Sequence, residues 1–131
     1  MSSKMSNETN ALNWFEIPVS DISRATSFYE NIFDIKMPTT EMMGMKMAMF
    51  PTDMTGGHIG GSLVESPMHQ PSTHGSVIYL NGNPDVQHVL DRVESAGGKV
   101  VMPKTKISDE VGHMAFIHDT EGNHVGLHSN N

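Results

Sequence analysis

Hydrophobic positions along the chain follow two rhythms, and each rhythm occurs twice. In SDISRATSFYENIF, the residues Ile22, Ala25, Phe28, Tyr29, Ile32 and Phe33 recur at helical spacing on one face. Ser20 or Asp21 stands where a side chain caps the first turn. In NPDVQHVLDRVESAGG the stripe is Val86, Val89, Leu90 and Val93, with Asn83 as N-cap, Pro84 as first helical residue and Gly97 and Gly98 as the stop. Short apolar runs flank both helices: WFEIPV at 14–19 and SVIYLN at 76–81 before them, IKM at 35–37 and KVVM at 99–102 after them. Each half then closes with a hairpin. MKMAMF turns through TDMTGG into HIGGSLV, and GHMAFIH turns through DTEGN into HVGLHS.

The two halves match position by position. Met47-Ala48-Met49-Phe50 corresponds to Met114-Ala115-Phe116-Ile117, and His58-Ile59-Gly60 to His124-Val125-Gly126. Each half reads β-α-β-β-β. One such unit leaves a sheet face it cannot cover alone. The pattern therefore predicts an α+β fold in which two tandem β-α-β-β-β modules form an incomplete barrel around a central cup, helices outside. The expected divisions are a disordered polar tail over 1–11, the first module over 12–66, a Pro/Ser linker over 67–74 and the second module over 75–129, one domain in all. Because the histidines of GGHIGGS and GNHVGLHS occupy equivalent places, repetition of the scaffold is enough to account for both.

Composition narrows the function. The 131 residues suffice for one domain with a modest core. Without cysteine there is no disulfide or thiolate metal site. Fifteen acidic against eight basic residues give a formal charge of −7, which disfavours nucleic acid and anionic membranes as partners. No apolar run approaches the roughly 20 residues of a membrane span, and the polar start lacks the apolar core of a secretion signal, so a cytoplasmic location is the default expectation. The twelve methionines read as adaptable core filler.

The stretches NWFEIPVSDISRATSFYENIFDIKM, AGGKVVMPKTKI and MAFIHDTEGNHVGLHS resemble the vicinal oxygen chelate superfamily, which includes glyoxalases, bleomycin-resistance proteins and extradiol dioxygenases. The likeness covers residues 12–129 and points to the glyoxalase-like branch. It implies a cupped cavity, a small-molecule ligand and a homodimer. In metal-dependent members it also implies a divalent ion, held on the first and last strands of each module, that offsets charge developing on adjacent substrate oxygens. Carried over position by position, the ligand places fall at Trp14, Gly60, Gly75 (beside His74) and Gly126. None of these four side chains suits a hard or borderline ion. No cofactor is therefore predicted, and a divalent metal would need an atypical set such as Glu16, His74 and His128. The glycines, as gaps, are expected to enlarge the cup.

Strand alternation selects the other candidates. Glu16 lies two residues after Trp14 and shares its face, His128 shares that of Gly126, Ser62 that of Gly60, and Tyr79 that of Gly75 and Val77. Glu16 and His128 are the expected acid–base pair, and Trp14, Ser62 and Tyr79 the expected ligand contacts. His124 and His128 cannot chelate together, being about 13 Å apart along a strand. His69, His88, His113 and His118 read as solvated or locally bonded. The leading expectation is a small-molecule-binding, lyase- or isomerase-type protein. The alternatives are a sequestering protein of the bleomycin-resistance kind, or a metal-dependent lyase with atypical ligands.

Overall fold

An aspartate begins each helix. The computed structural model, which describes residues 4–131, has α1 at Ile22–Phe33, and the Asp21 side chain accepts the Arg24 N–H at 3.1 Å. Ala25, Phe28, Tyr29 and Ile32 are its buried stripe, and Asp34 ends it in the left-handed conformation. Helix α2 spans Val86–Val93 and starts later than the sequence suggests. Its N-cap is Asp85, whose carboxylate accepts the Gln87 N–H at 2.9 Å. Asn83 and Pro84, joined by a cis peptide, lie outside the helix. The expected tail lies partly outside the described residues; its described part includes a hydrogen-bonded turn from Ser6 to Thr9.

The strands are β1 (Trp14–Pro18), β2 (Thr39–Met42), β3 (Met45–Met49), β4 (Gly60–Glu65), β5 (Tyr79–Asn81), β6 (Lys99–Ser108), β7 (Gly112–His118) and β8 (His124–Ser129). They form two four-stranded mixed sheets of the same topology, β1-β4-β3-β2 and β5-β8-β7-β6. This is the expected α+β architecture, with open sheets and, among the described residues, no closed barrel. Three strands depart from the expected runs. Ile35 and Met37 pack against or within the core without forming a strand, and β2 follows them. Only the end of SVIYLN pairs as β5. Strand β6 extends six residues beyond KVVM, with breaks in its register against β7.

Each sheet turns one face inward. Ile17, Ala48 and Leu63 from the first, and Leu80, Ala115, Ile117, Val125 and Leu127 from the second, join both helices in a single core. The modules meet through α1 against α2 and through hairpin turns, not through paired strands. Trp14, Glu16 and Ser62, and likewise Tyr79, Phe116, His124 and His128, alternate with core positions and so lie on the opposite, open faces. Among the described residues no helix is long and apolar enough to cross a membrane.

A polar seam fixes the β7–β8 turn to the start of α1. Buried Asp119 accepts the Tyr29 hydroxyl at 2.8 Å, and Asn123 Nδ2 donates to the Pro18 carbonyl at 2.7 Å. Glu121 accepts the N–H groups of Ser20 and Asp21 and a two-point contact from Arg24. Burial alone would raise the Glu121 pKa. The Arg24 guanidinium, the two backbone N–H groups and the Thr120 hydroxyl outweigh it and hold the pKa at about 2, against an ordinary 4.5. A carboxyl depressed in this way stabilises the fold fully above pH 4.5 and loses its contribution as pH falls through about 2. The urea midpoint of the parent should therefore exceed that of Glu121→Gln at neutral pH. That gap should close on acidification below about pH 4, and a gap independent of pH would refute the assignment.

Candidate functional site

Strand β1 runs parallel to β4 with Trp14 opposite Gly60 and Glu16 opposite Ser62. Because the core takes Ile17, its neighbour Glu16 must face the open side, and its side chain is 32% exposed. Two groups bond to it, and a third lies beside it in register. Trp14 Nε1 donates to Glu16 Oε2 at 3.3 Å, and His69 Nε2 stands 2.8 Å from Glu16 Oε1. Ser62, fully buried beside Glu16 in register, has a hydroxyl with no hydrogen-bond partner among the described residues.

His69 arrives from the linker, and the linker explains its orientation. Ser66 opens a tight turn in which its carbonyl accepts the His69 N–H at 3.2 Å and its Oγ accepts the Met68 N–H at 3.1 Å. Ser66 Oγ also lies 2.7 Å from His69 Nδ1. Since that oxygen already accepts from Met68, its own hydrogen is free to donate to Nδ1. The remaining ring proton of a neutral imidazole then sits on Nε2 and points at Glu16. The result is a hydrogen-bonded row, Ser66 to His69 to Glu16, anchored on β1. A cavity of about 380 Å³ opens beside Ser66 and His69, with Lys46 and Glu65 also on its wall.

The expected partner of Glu16 stands elsewhere. His128, on β8, donates from Nε2 to the Val111 carbonyl at 2.6 Å. His74 is an exposed linker residue whose Nδ1 lies 3.0 Å from Thr73 Oγ1. Glu16, His74 and His128 thus each hold a different partner. Among the described residues no three His, Asp or Glu side chains are grouped as a metal ion needs.

The ligand places carried over from the resemblance need one correction. Tyr79 pairs with Gly126 as Trp14 pairs with Gly60, so the second-module equivalent of Trp14 is Tyr79. Gly75 lies four residues earlier, before β5 begins. Nor are the glycines holes. A Cβ on Gly126 would stand 2.6 Å from the Tyr79 ring, and one on Gly60 would stand 3.1 Å from Thr52 Cγ2. Each module therefore places an aromatic residue and a glycine where a metal-dependent member needs two donors. An indole, a phenol and two glycines do not fit a divalent ion at those places.

The open face of the second sheet carries a row that the sequence did not single out. Tyr79 is half exposed, Phe116 lies 5.7 Å from it, His124 lies 4.8 Å from Phe116, and His118 lies 5.4 Å from His124, ring centre to ring centre. This is an aromatic wall with imidazoles at one end. The other residue missed was His69. The only local sign of it was Ser66 three residues earlier, the spacing of a hydroxyl-capped turn.

Comparison with known proteins agrees with the geometry. The family model described as Glyoxalase/Bleomycin resistance protein/Dioxygenase superfamily matches residues 11–127. A glyoxylase-like domain-containing protein of Didymella fabae is 27% identical over 113 residues, covering 86% of this chain and 88% of that protein. A Mycobacterium bovis protein named CFP32 is 30% identical over 118 residues, 88% of this chain but 44% of its own length, so the chain spans less than half of that relative. Among solved structures, a glyoxalase/bleomycin resistance protein from Streptomyces sp. CB03234 superposes with a TM-score of 0.65 at 23% identity, covering 89% of this chain and 98% of that one. With a family model spanning nearly its whole length, the chain belongs to the Glyoxalase/Bleomycin resistance protein/Dioxygenase superfamily.

Proposed function

We propose that the open face around Glu16 binds a small carbonyl or hydroxy compound and moves a proton on it, as a lyase or isomerase of this superfamily would. The observation that carries this reading is the hydrogen-bonded row from Ser66 through His69 to Glu16, with distances of 2.7 and 2.8 Å. Glu16 takes a proton from carbon next to a carbonyl, and the released electron pair moves onto the carbonyl oxygen. On an α-hydroxy carbonyl compound the hydroxyl proton then passes to the former carbonyl oxygen, the hydroxyl oxygen becomes the new carbonyl, and Glu16 returns its proton to the former carbonyl carbon, an isomerisation with no net change in atoms or electrons. His69 takes the role that the sequence suggested for His128.

A homodimer is part of the proposal. The Glu16 face and the Tyr79 face both look away from the shared core, so a second copy would bring its aromatic wall to the first sheet of its partner. Sequestration without chemistry is the second reading, favoured by the bonds that already hold Glu16 to two donors. Titrating the full chain with short α-hydroxyketones and thiol conjugates, followed by NMR, tests the site. Shifts should centre on Glu16, Ser62 and His69. Saturable binding that leaves these three unmoved defeats the proposal. Deuterium exchange at the carbon of a bound compound separates catalysis from sequestration.

A further inference from the structure

The repeated modules create two equivalent junctions, and the structure treats them differently. At one, the β7–β8 turn is sewn to residues 18–21 by Asn123 and Glu121. At the other, the β3–β4 turn faces residues 81–85. No hydrogen bond among the described residues joins the two segments. A cleft of about 1030 Å³ opens there.

Its apolar wall is Phe15, Phe33 and Phe50 on one side and Ile78 and Leu80 on the other. Phe15 and Phe50 belong to the helix-facing side of the first sheet, with ring centres 5.5 Å apart. Phe15 lies directly against Gly61, a position where any side chain would collide with the ring. Since Glu16 points the other way, the cleft and the Glu16 site lie on opposite sides of β1. Thr52, Asp53, His58, Ser76, Asn81 and Asn83 supply polar groups at the cleft, whose lining holds one carboxylate and no lysine or arginine. The Thr55 hydroxyl and N–H both bond the Asp53 carboxylate and hold its pKa below the ordinary range, so it remains an anion at neutral pH.

We propose that this cleft is a second ligand site, for a flat aromatic molecule carrying a positive charge, with its ring among the phenyl groups and its cation at Asp53. The volume suits an organic ligand of moderate size. Ring faces attract both another ring and a nearby cation. A phosphate or carboxylate would have to shed water against an apolar wall and lie beside the Asp53 anion, with no lysine or arginine in the lining to pair with it. The proposal does not depend on the reading of Glu16.

The test is an NMR titration of the full-length protein with three probes of one shape: 2-naphthylmethylammonium, 2-naphthylmethanol and 2-naphthoate. The ammonium should bind about tenfold tighter than the carboxylate, with the alcohol between them. Shifts should centre on Gly60, Ile78 and Asn81. Asp53→Asn should bring the ammonium to the affinity of the alcohol, and Val77→Arg, at a wall position 43% exposed, should weaken the ammonium most and the carboxylate least. Glu16→Gln should change none of these values. Equal binding of ammonium and carboxylate overturns the proposal, as do shifts centred on Glu16 and His69 or no saturation by about 10 mM. A Val77→Arg protein that changes oligomeric state in sedimentation also overturns it, because the cleft is then covered by a second copy.

Discussion

Asp119→Ala should lower the free energy of unfolding by about 3–5 kcal/mol, measured as a fall in urea midpoint at constant slope. Asp119 is 5% exposed and accepts four hydrogen bonds: from the Tyr29 hydroxyl, the Glu121 N–H, the Asn123 N–H and Asn123 Nδ2, all between 2.8 and 2.9 Å. Removing the carboxylate leaves the Tyr29 hydroxyl and the Asn123 N–H buried without an acceptor, at about 1–3 kcal/mol each, while Asn123 Nδ2 keeps its bond to the Pro18 carbonyl. Tyr29 is fully buried. Burial and the adjacent Asp119 charge raise its pKa well above the ordinary value, so its hydroxyl stays protonated and donates to the carboxylate. The same change releases the β7–β8 turn, and with it the acceptors on Glu121 that α1 uses at its start. Against a typical total of about 5–15 kcal/mol, the loss is severe. Tyr29→Phe is the control. It removes one bond and keeps the packing, so it should cost only about 1 kcal/mol. A Tyr29→Phe loss as large as that of Asp119→Ala would mean that the seam does not act as a network.

The contrast between legible and hidden features follows from how each is encoded. Helix stripes and hairpins are local: Phe28, Tyr29 and Ile32 occupy the face of α1 that their spacing requires, and MAFIH and HVGLH pair across DTEGN as written. Strand β2 was missed because TTEM is exposed at every position and shows no alternation. Ile35 and Met37 misled in the opposite sense, being apolar because a loop packs them against and into the core. The cap of α2 was misplaced because Asn83 and Asp85 are equally plausible in sequence, and only the bond to the Gln87 N–H decides between them. In the site, alternation put Glu16, Trp14 and Ser62 on one face correctly in register. Counting residues failed for Gly75, since strand pairing sets the ligand place at Tyr79. His69 lies 53 residues from Glu16, and no periodicity links a strand to a linker that folds back over it.

Glu16→Gln should lower turnover by about 10²–10⁴-fold while leaving ligand affinity nearly intact, because glutamine keeps the shape and acceptor oxygen but cannot take up a proton. Solvent deuterium incorporation next to the carbonyl of a bound α-hydroxyketone measures this without knowing the product. His69→Ala should cost less, about 10–100-fold, since it removes the group that orients Glu16 and shares its charge but leaves the base in place. Its distinguishing effect is on the pH profile. With the imidazole gone, one limb of the rate profile should move or vanish, whereas a merely structural His69 would lower the rate equally at every pH. Ser66→Ala frees Nδ1 from its donor and lets the ring adopt the other tautomer, in which Nε2 carries no hydrogen to offer Glu16. It should therefore reproduce part of the His69→Ala loss, and the double variant should lose no more than His69→Ala alone. Additive losses would show that Ser66 and His69 act separately and that the row on β1 is only a brace for the linker.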